Sequence, residues 1–173
     1  MRRFVVVLLA AAVALPPVTV ARADTLEFIR PVRAPIIRHF EPPPTPYAAG
    51  HRGVDFEVPE GTLVVAAGSG RVAFAGPVGG TIALSIDHPN GLRSTYSFLG
   101  AVVVRAGDDV LQGQAVARSG PGHGGGAPPA LHFGIRHGEE YRDPEALLLD
   151  AILRHLWSVL RLTADASPGP GGP

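Results

Sequence analysis

The chain has no cysteine, one methionine and one tryptophan in 173 residues, and all 15 of its basic residues are arginine. Without cysteine there is no disulfide, no thiol nucleophile and no thiolate metal ligand. Without lysine there is no Schiff-base chemistry and no amine to carry a covalently attached cofactor. Aromatic residues make up only 6% of the chain, and formal charge is balanced at +0. No basic stripe stands out, which argues against nucleic acid as a partner. A domain of this kind must stand on a β core or on a metal ion.

The first residues address the chain. Met1-Arg2-Arg3 is a short cationic start, Phe4 to Leu15 is an apolar run, and Ala21-Arg22-Ala23 is a small-x-small cleavage pattern. Residues 1–23 therefore read as a signal peptide, with an exported mature chain starting at Asp24. The alternative is an uncleaved anchor, but so short a run spans a bilayer poorly. After cleavage no transmembrane anchor is expected.

Residues 24–46 read as an extended lead-in and Pro-rich connector, with Pro31 and Pro35 preventing a helix and Glu41-Pro42-Pro43-Pro44-Thr45-Pro46 stiffening the approach. Short β-type runs separated by glycine turns follow: Val54–Val58, Leu63–Ala66, Gly70–Ala75, Thr81–Asp87, Arg93–Phe98, Gln114–Ser119 and Leu131–Arg136. Asn90-Gly91 is the strongest hairpin signal. A faint repeat relates the segment from Gly61 to that from Gly107, each placing a valine, a glycine and a Val-Ala in order. Two such hairpins facing each other build a small β sandwich. Lipoyl and biotinyl carriers share that architecture, and the missing lysine excludes them. After Pro144 the apolar period becomes helical: Leu147, Leu148, Ile152, Leu156, Val159 and Leu160 predict an amphipathic helix over 145–162, packed on the β-domain or on a partner. Residues 163–173 read as a disordered tail.

Gly50-His51-Arg52-Gly53-Val54-Asp55-Phe56 is the most informative segment. On a strand, His51 and Asp55 share one face while Val54, Phe56 and Val58 point into the core. In Ala130-Leu131-His132-Phe133, alternation puts Ala130 and His132 opposite Leu131 and Phe133. Two imidazoles and a carboxylate make a zinc ligand set that leaves one position open, the catalytic pattern. Taken singly, each residue reads better as a solvated surface side chain.

The blocks Gly-His-Arg-Gly-Val-Asp-Phe, Val65-Ala66-Ala67-Gly68 with Gly70 and Val72, Asp87-His88 with Asn90-Gly91-Leu92, Thr95-Tyr96, Gly113-Gln114, Leu131-His132-Phe133 and Asp143-Pro144 resemble, in order, the lysostaphin-type zinc metalloendopeptidases. The likeness spans His51 to Pro144. It implies an all-β fold, a small antiparallel β sandwich or barrel-sandwich hybrid (duplicated hybrid motif), here with a C-terminal helix, over residues 47–144. It implies Zn2+ as cofactor, with His51, Asp55 and His132 as ligands. It implies peptidoglycan or its peptide stems as partner, and a cell-wall location. Tyr96 matches a tyrosine near the cleft and reads as a candidate substrate contact or as a core residue. Arg52 reads as a surface or cleft-rim charge and a candidate substrate contact; His88 matches a position of structural role.

The likeness breaks at two positions. Active members carry two further histidines; here Phe98 and Ala130 stand there, a departure shared by actinobacterial-looking variants. An acid or base contributes roughly 10²–10⁴-fold and an oxyanion donor about 10²–10³-fold. His123, in a glycine-rich loop just before the His132 strand, is a substitute if the loop reaches the metal, and otherwise an exposed histidine. Two functions follow: a zinc endopeptidase cutting cell-wall cross-links, or a disarmed homologue that binds peptidoglycan or regulates another cell-wall hydrolase.

Overall fold

The computed structural model describes residues 28–45, 48–123 and 127–148. The expected signal segment, most of the expected helix and the tail lie outside these residues. Ten strands form the described body: β1 (Ile36–Arg38), β2 (Val54–Glu57), β3 (Leu63–Val65), β4 (Gly70–Val78), β5 (Thr81–Asp87), β6 (Leu92–Val102), β7 (Asp109–Val110), β8 (Ala115–Ser119), β9 (Ala130–His137) and β10 (Glu140–Arg142). Every pairing is antiparallel, in the order β1-β2-β9-β6-β5-β4-β7, with β10 on β9 and β3 on β8. Residues 144–148 are helical, where the apolar period changes.

The repeat is visible as pairing between its two copies. The β3 strand of the first copy pairs with β8 of the second, and β4 with β7. Between them, the Ala66 amide donates to the Gln114 carbonyl (2.8 Å) and the Gly113 amide donates to the Ala66 carbonyl (2.9 Å). The equivalent valines, Val64 and Val110, Val72 and Val116, are all buried. The two copies thus bury each other's apolar faces, which neither short hairpin could do alone.

The β6 strand joins the parts of the sheet. Its residues 92–97 pair with β9 and its residues 99–102 with β8. Between the two runs, Phe98 takes φ 61°, and no other non-glycine residue described has a positive φ. A bulky residue there is strained by about 1–3 kcal/mol. The left-handed residue turns the strand and leaves the Phe98 carbonyl to accept from the Gly120 amide (2.8 Å).

The lead-in is part of this body rather than an approach to it. Phe28 and Val32 are buried in the main core cluster, and β1 forms the edge beside β2. The sequence predicts only an extended stretch here, because three residues of edge strand, flanked by prolines, carry no period of their own.

Candidate functional site

The side chains of β2 and β9 alternate as their sequence requires. Val54, Phe56, Leu131 and Phe133 are fully buried in the core, and Asp55 and His132 point to the other face as direct cross-strand partners. His51 is not on the strand. It precedes β2 and is held by a two-bond bridge to Glu41, with its amide donating to the Glu41 carbonyl (2.7 Å). Glycine at position 53 makes room, because a Cβ there would lie 2.9 Å from the His132 ring.

Three donor atoms converge. His51 Nε2 lies 3.1 Å from Asp55 Oδ1 and 3.1 Å from His132 Nδ1, and the latter two are 2.8 Å apart. His51 Nδ1 donates to the His39 carbonyl (2.7 Å). A carbonyl only accepts, so in the neutral imidazole the proton sits on Nδ1 and Nε2 turns its lone pair toward Asp55. Two acceptors then face each other across 3.1 Å, with a single His132 proton to share between them. A cation at the centre of the triangle resolves this crowding. Zinc bonds of about 2.0–2.1 Å place tetrahedral ligands ~3.3 Å apart, close to the triangle observed. Among the described residues, His51, Asp55 and His132 are the group of this composition able to hold a metal ion.

Burial pushes the Asp55 carboxyl up, but the hydrogen bond and charge of His132, the charge of His51 and a hydrogen bond from His123 outweigh it and hold it below the usual range. The His123 contact joins its Nε2 to Asp55 Oδ2 at 3.0 Å. The loop thus brings His123 to the site, where its ring packs against Phe98 at a tilt of 48° with centroids 4.0 Å apart. Phe98 and His132 meet edge-on at 6.4 Å. Ala130 is buried two residues before His132. Neither Phe98 nor Ala130 can move a proton.

Above these atoms lies a groove of about 620 Å³, lined on one side by Arg38, Arg52 and Tyr141 and on the other by Val78 and Thr81, with Phe98 and His123 between. Arg52 takes the place at the cleft that the sequence led us to expect. Tyr96 does not. It is completely buried, and its hydroxyl accepts from the Ala67 amide (2.8 Å), so it cannot touch a ligand. Burial pushes its phenol up to about 12, while the Ala67 and Ser94 bonds pull the other way. The sequence reading missed Arg38, Tyr141 and the His39 carbonyl. Arg38 and the His39 carbonyl reach the site through the pairing of β1 with β2, and Tyr141 through the β9–β10 hairpin, and no local spacing marks them.

Comparison with known proteins shows the family. The profile of Peptidase family M23 matches residues 49–144. The chain is 36% identical over 141 residues to an uncharacterized protein of Mycobacterium tuberculosis, Rv2891, covering 78% of this chain and 56% of that one. It is 34% identical over 104 residues to the peptidoglycan DD-endopeptidase ShyA of Vibrio cholerae, covering 57% of this chain and 24% of ShyA. Among solved structures, the antimicrobial peptidase lysostaphin from Staphylococcus simulans superposes with a TM-score of 0.62 at 28% identity, over 72% of this chain and 55% of that one. The chain thus spans about half, or less, of the length of these relatives, and within that span it belongs to Peptidase family M23.

Proposed function

We propose that the protein is an exported zinc-dependent endopeptidase acting on peptide cross-links of the bacterial cell wall. The observation that carries this reading is the convergence of His51 Nε2, Asp55 Oδ1 and His132 Nδ1 at the floor of an open groove, with the His51 tautomer fixed by the His39 carbonyl. The relationship to ShyA supports peptidoglycan as the substrate class. The pattern of residues 1–23 supports action outside the cytoplasm.

Zinc held by these three residues would supply Lewis acidity toward a peptide carbonyl and toward an attacking water. The protein's own groups do the rest. The His39 carbonyl orients His51, and Asp55, ionised, is fixed by hydrogen bonds at both oxygens. His123 holds a proton at Nε2 against Asp55 Oδ2, beside the metal-facing atoms. We assign to it the proton-carrying role for which Phe98 and Ala130 are unsuited. Phe98 packs on the imidazole and keeps one of its faces from water.

Incubation of the purified protein with isolated sacculi tests the reading: new amino termini appear, they vanish with Asp55→Ala, and they fall by about 10²-fold or more with His123→Ala. A second reading rests on one observation, the two missing family imidazoles. If wild type releases nothing and the double variant Phe98→His, Ala130→His does, the groove serves to bind peptidoglycan or to regulate another hydrolase.

A further inference from the structure

The edge strand β1 contains an irregularity that bears on what the groove binds. Ile36 pairs with Phe56, while Arg38, two residues on, pairs with Asp55, only one residue back. One extra residue in β1 is a β-bulge. Side chains alternate with a period of two, so in a regular strand Arg38 would share the core-facing side of Ile36. The bulge turns it instead to the face of Asp55. Arg38, Asp55, His132 and Ser97 then form one row of direct partners across β1, β2, β9 and β6.

Directly opposed residues hold their Cβ atoms about 4.5–5.5 Å apart, and a guanidinium so close to a carboxylate ordinarily pairs with it. Here both oxygens of Asp55 are taken by histidines. Arg38 is exposed, lines the groove and has no ion pair among the described residues. Arg52 lines the same wall, its Nη2 donating to the Ala48 carbonyl (3.1 Å) and its guanidinium 5.8 Å from the centre of the Tyr141 ring. Among the described residues that line the groove there is no aspartate or glutamate. A wall with two guanidinium groups and no acid is chemically matched to a carboxylate, which the planar arginine fork binds through two parallel hydrogen bonds.

We propose that Arg38 and Arg52 form a carboxylate-binding subsite, so that the peptide taken into the groove carries a free carboxylate near the bond presented to His51, Asp55 and His132. This rests on the reading of the groove as a peptide site. It sets a substrate class within that reading: stem peptides with free rather than amidated carboxyl groups.

Calorimetric titration of the purified protein with the synthetic peptide L-Ala-γ-D-Glu-L-Lys-D-Ala, and with the same peptide amidated at both carboxyl groups, tests it. The free acid binds at least about tenfold more tightly, as two charge-assisted hydrogen bonds imply. Arg38→Gln removes most of that preference, Arg38→Lys retains part, and Arg71→Gln, at a surface arginine beside Asp109, leaves it unchanged. Equal affinity for acid and amide overturns the subsite and leaves the peptide groove standing. A preference that survives in an Arg38→Gln, Arg52→Gln double variant overturns the assignment to these arginines. Binding of neither peptide overturns the groove reading and the subsite together.

Discussion

Two clusters of buried polar side chains, each built around histidine, lie in different parts of the sheet, and they solve the problem of burial in opposite ways. In the first, around β6 and the turn that leads into it, every group has a protein partner. The Ala67 amide and the Ser94 hydroxyl donate to the Tyr96 hydroxyl, Ser94 Oγ bonds to His88 Nε2, and His88 Nδ1 donates to the Ser69 carbonyl. The chain of donors closes with no atom left over. In the second, the triangle of His51, Asp55 and His132, acceptors outnumber protons and the groove opens onto them. A closed network is a device of stability, since satisfied buried polar groups fix one arrangement of the core. An acceptor-rich triangle is a device for holding a cation. Counting protons separates the two kinds of histidine where burial cannot: His51 is 4% exposed and His88 is 5% exposed.

The contrast breaks most clearly with metal. We expect one zinc per chain by elemental analysis of the purified protein, none after His51→Ala, and no change after His88→Gln. Zinc lost in the His88 variant, or retained in the His51 variant, would reverse the roles assigned to the two clusters. The next effect in size concerns His123. Partners of metal-ligating groups are typically worth about 10–100-fold in metal affinity. His123→Ala is therefore expected to weaken zinc binding by about that factor in a competition titration with a chelator. A loss of activity with unaltered zinc affinity would instead give His123 a role in proton transfer alone.

Much of the triangle is legible in the sequence, and less of the closed network and of what surrounds the triangle. Alternation placed Val54, Phe56, Leu131 and Phe133 inside and Asp55 and His132 on the opposite face, because strand period is a local property. Asn90-Gly91 gave the β5–β6 turn, in which Gly91 takes φ 79°. The expected strand from Arg93 to Phe98 was cut short at Phe98, where the observed β6 runs on to Val102, since no propensity foretells a left-handed phenylalanine inside a strand. Tyr96 reads as a cleft residue or a core residue, and its complete burial with the Ala67 partner, from a distant segment, decides for the core. Arg38 and His39 carried no signal. Their positions follow from the register of β1 on β2, which a three-residue strand between prolines does not announce.

Smaller effects test whether the first network is structural. Tyr96→Phe leaves the Ala67 amide without its acceptor in a site fully shut off from water, so it is expected to destabilise the fold by about 1–3 kcal/mol. Urea unfolding in the presence of a chelator measures this without the metal's contribution. Zinc stoichiometry should stay at one. A Tyr96→Phe protein as stable as wild type would show that the hydroxyl chain contributes nothing to the fold.

The smallest expected effect is the pH response of His88. Burial holds its imidazole below the ordinary value of 6.5, while the Ser69 carbonyl and the charge of Asp87 pull weakly the other way. In the unfolded chain the group takes up a proton near that ordinary value; in the folded protein it does so only at lower pH. Above pH 6.5 both states are neutral and His88 contributes no pH dependence. As pH falls below it, unfolding binds a proton that the folded state refuses, and stability drops by up to about 1.4 kcal/mol per pH unit. Asp55 and Asp87 act in a separate window. Their depressed carboxyls add stability above the ordinary 3.8, lost only as pH falls below it. His88→Gln should therefore flatten the stability of the metal-free protein between pH 7 and 5 relative to wild type, with the other histidines common to both proteins. Equal slopes would mean that His88 accepts its proton inside the fold as readily as outside, and that its network is no more closed than the triangle at His51.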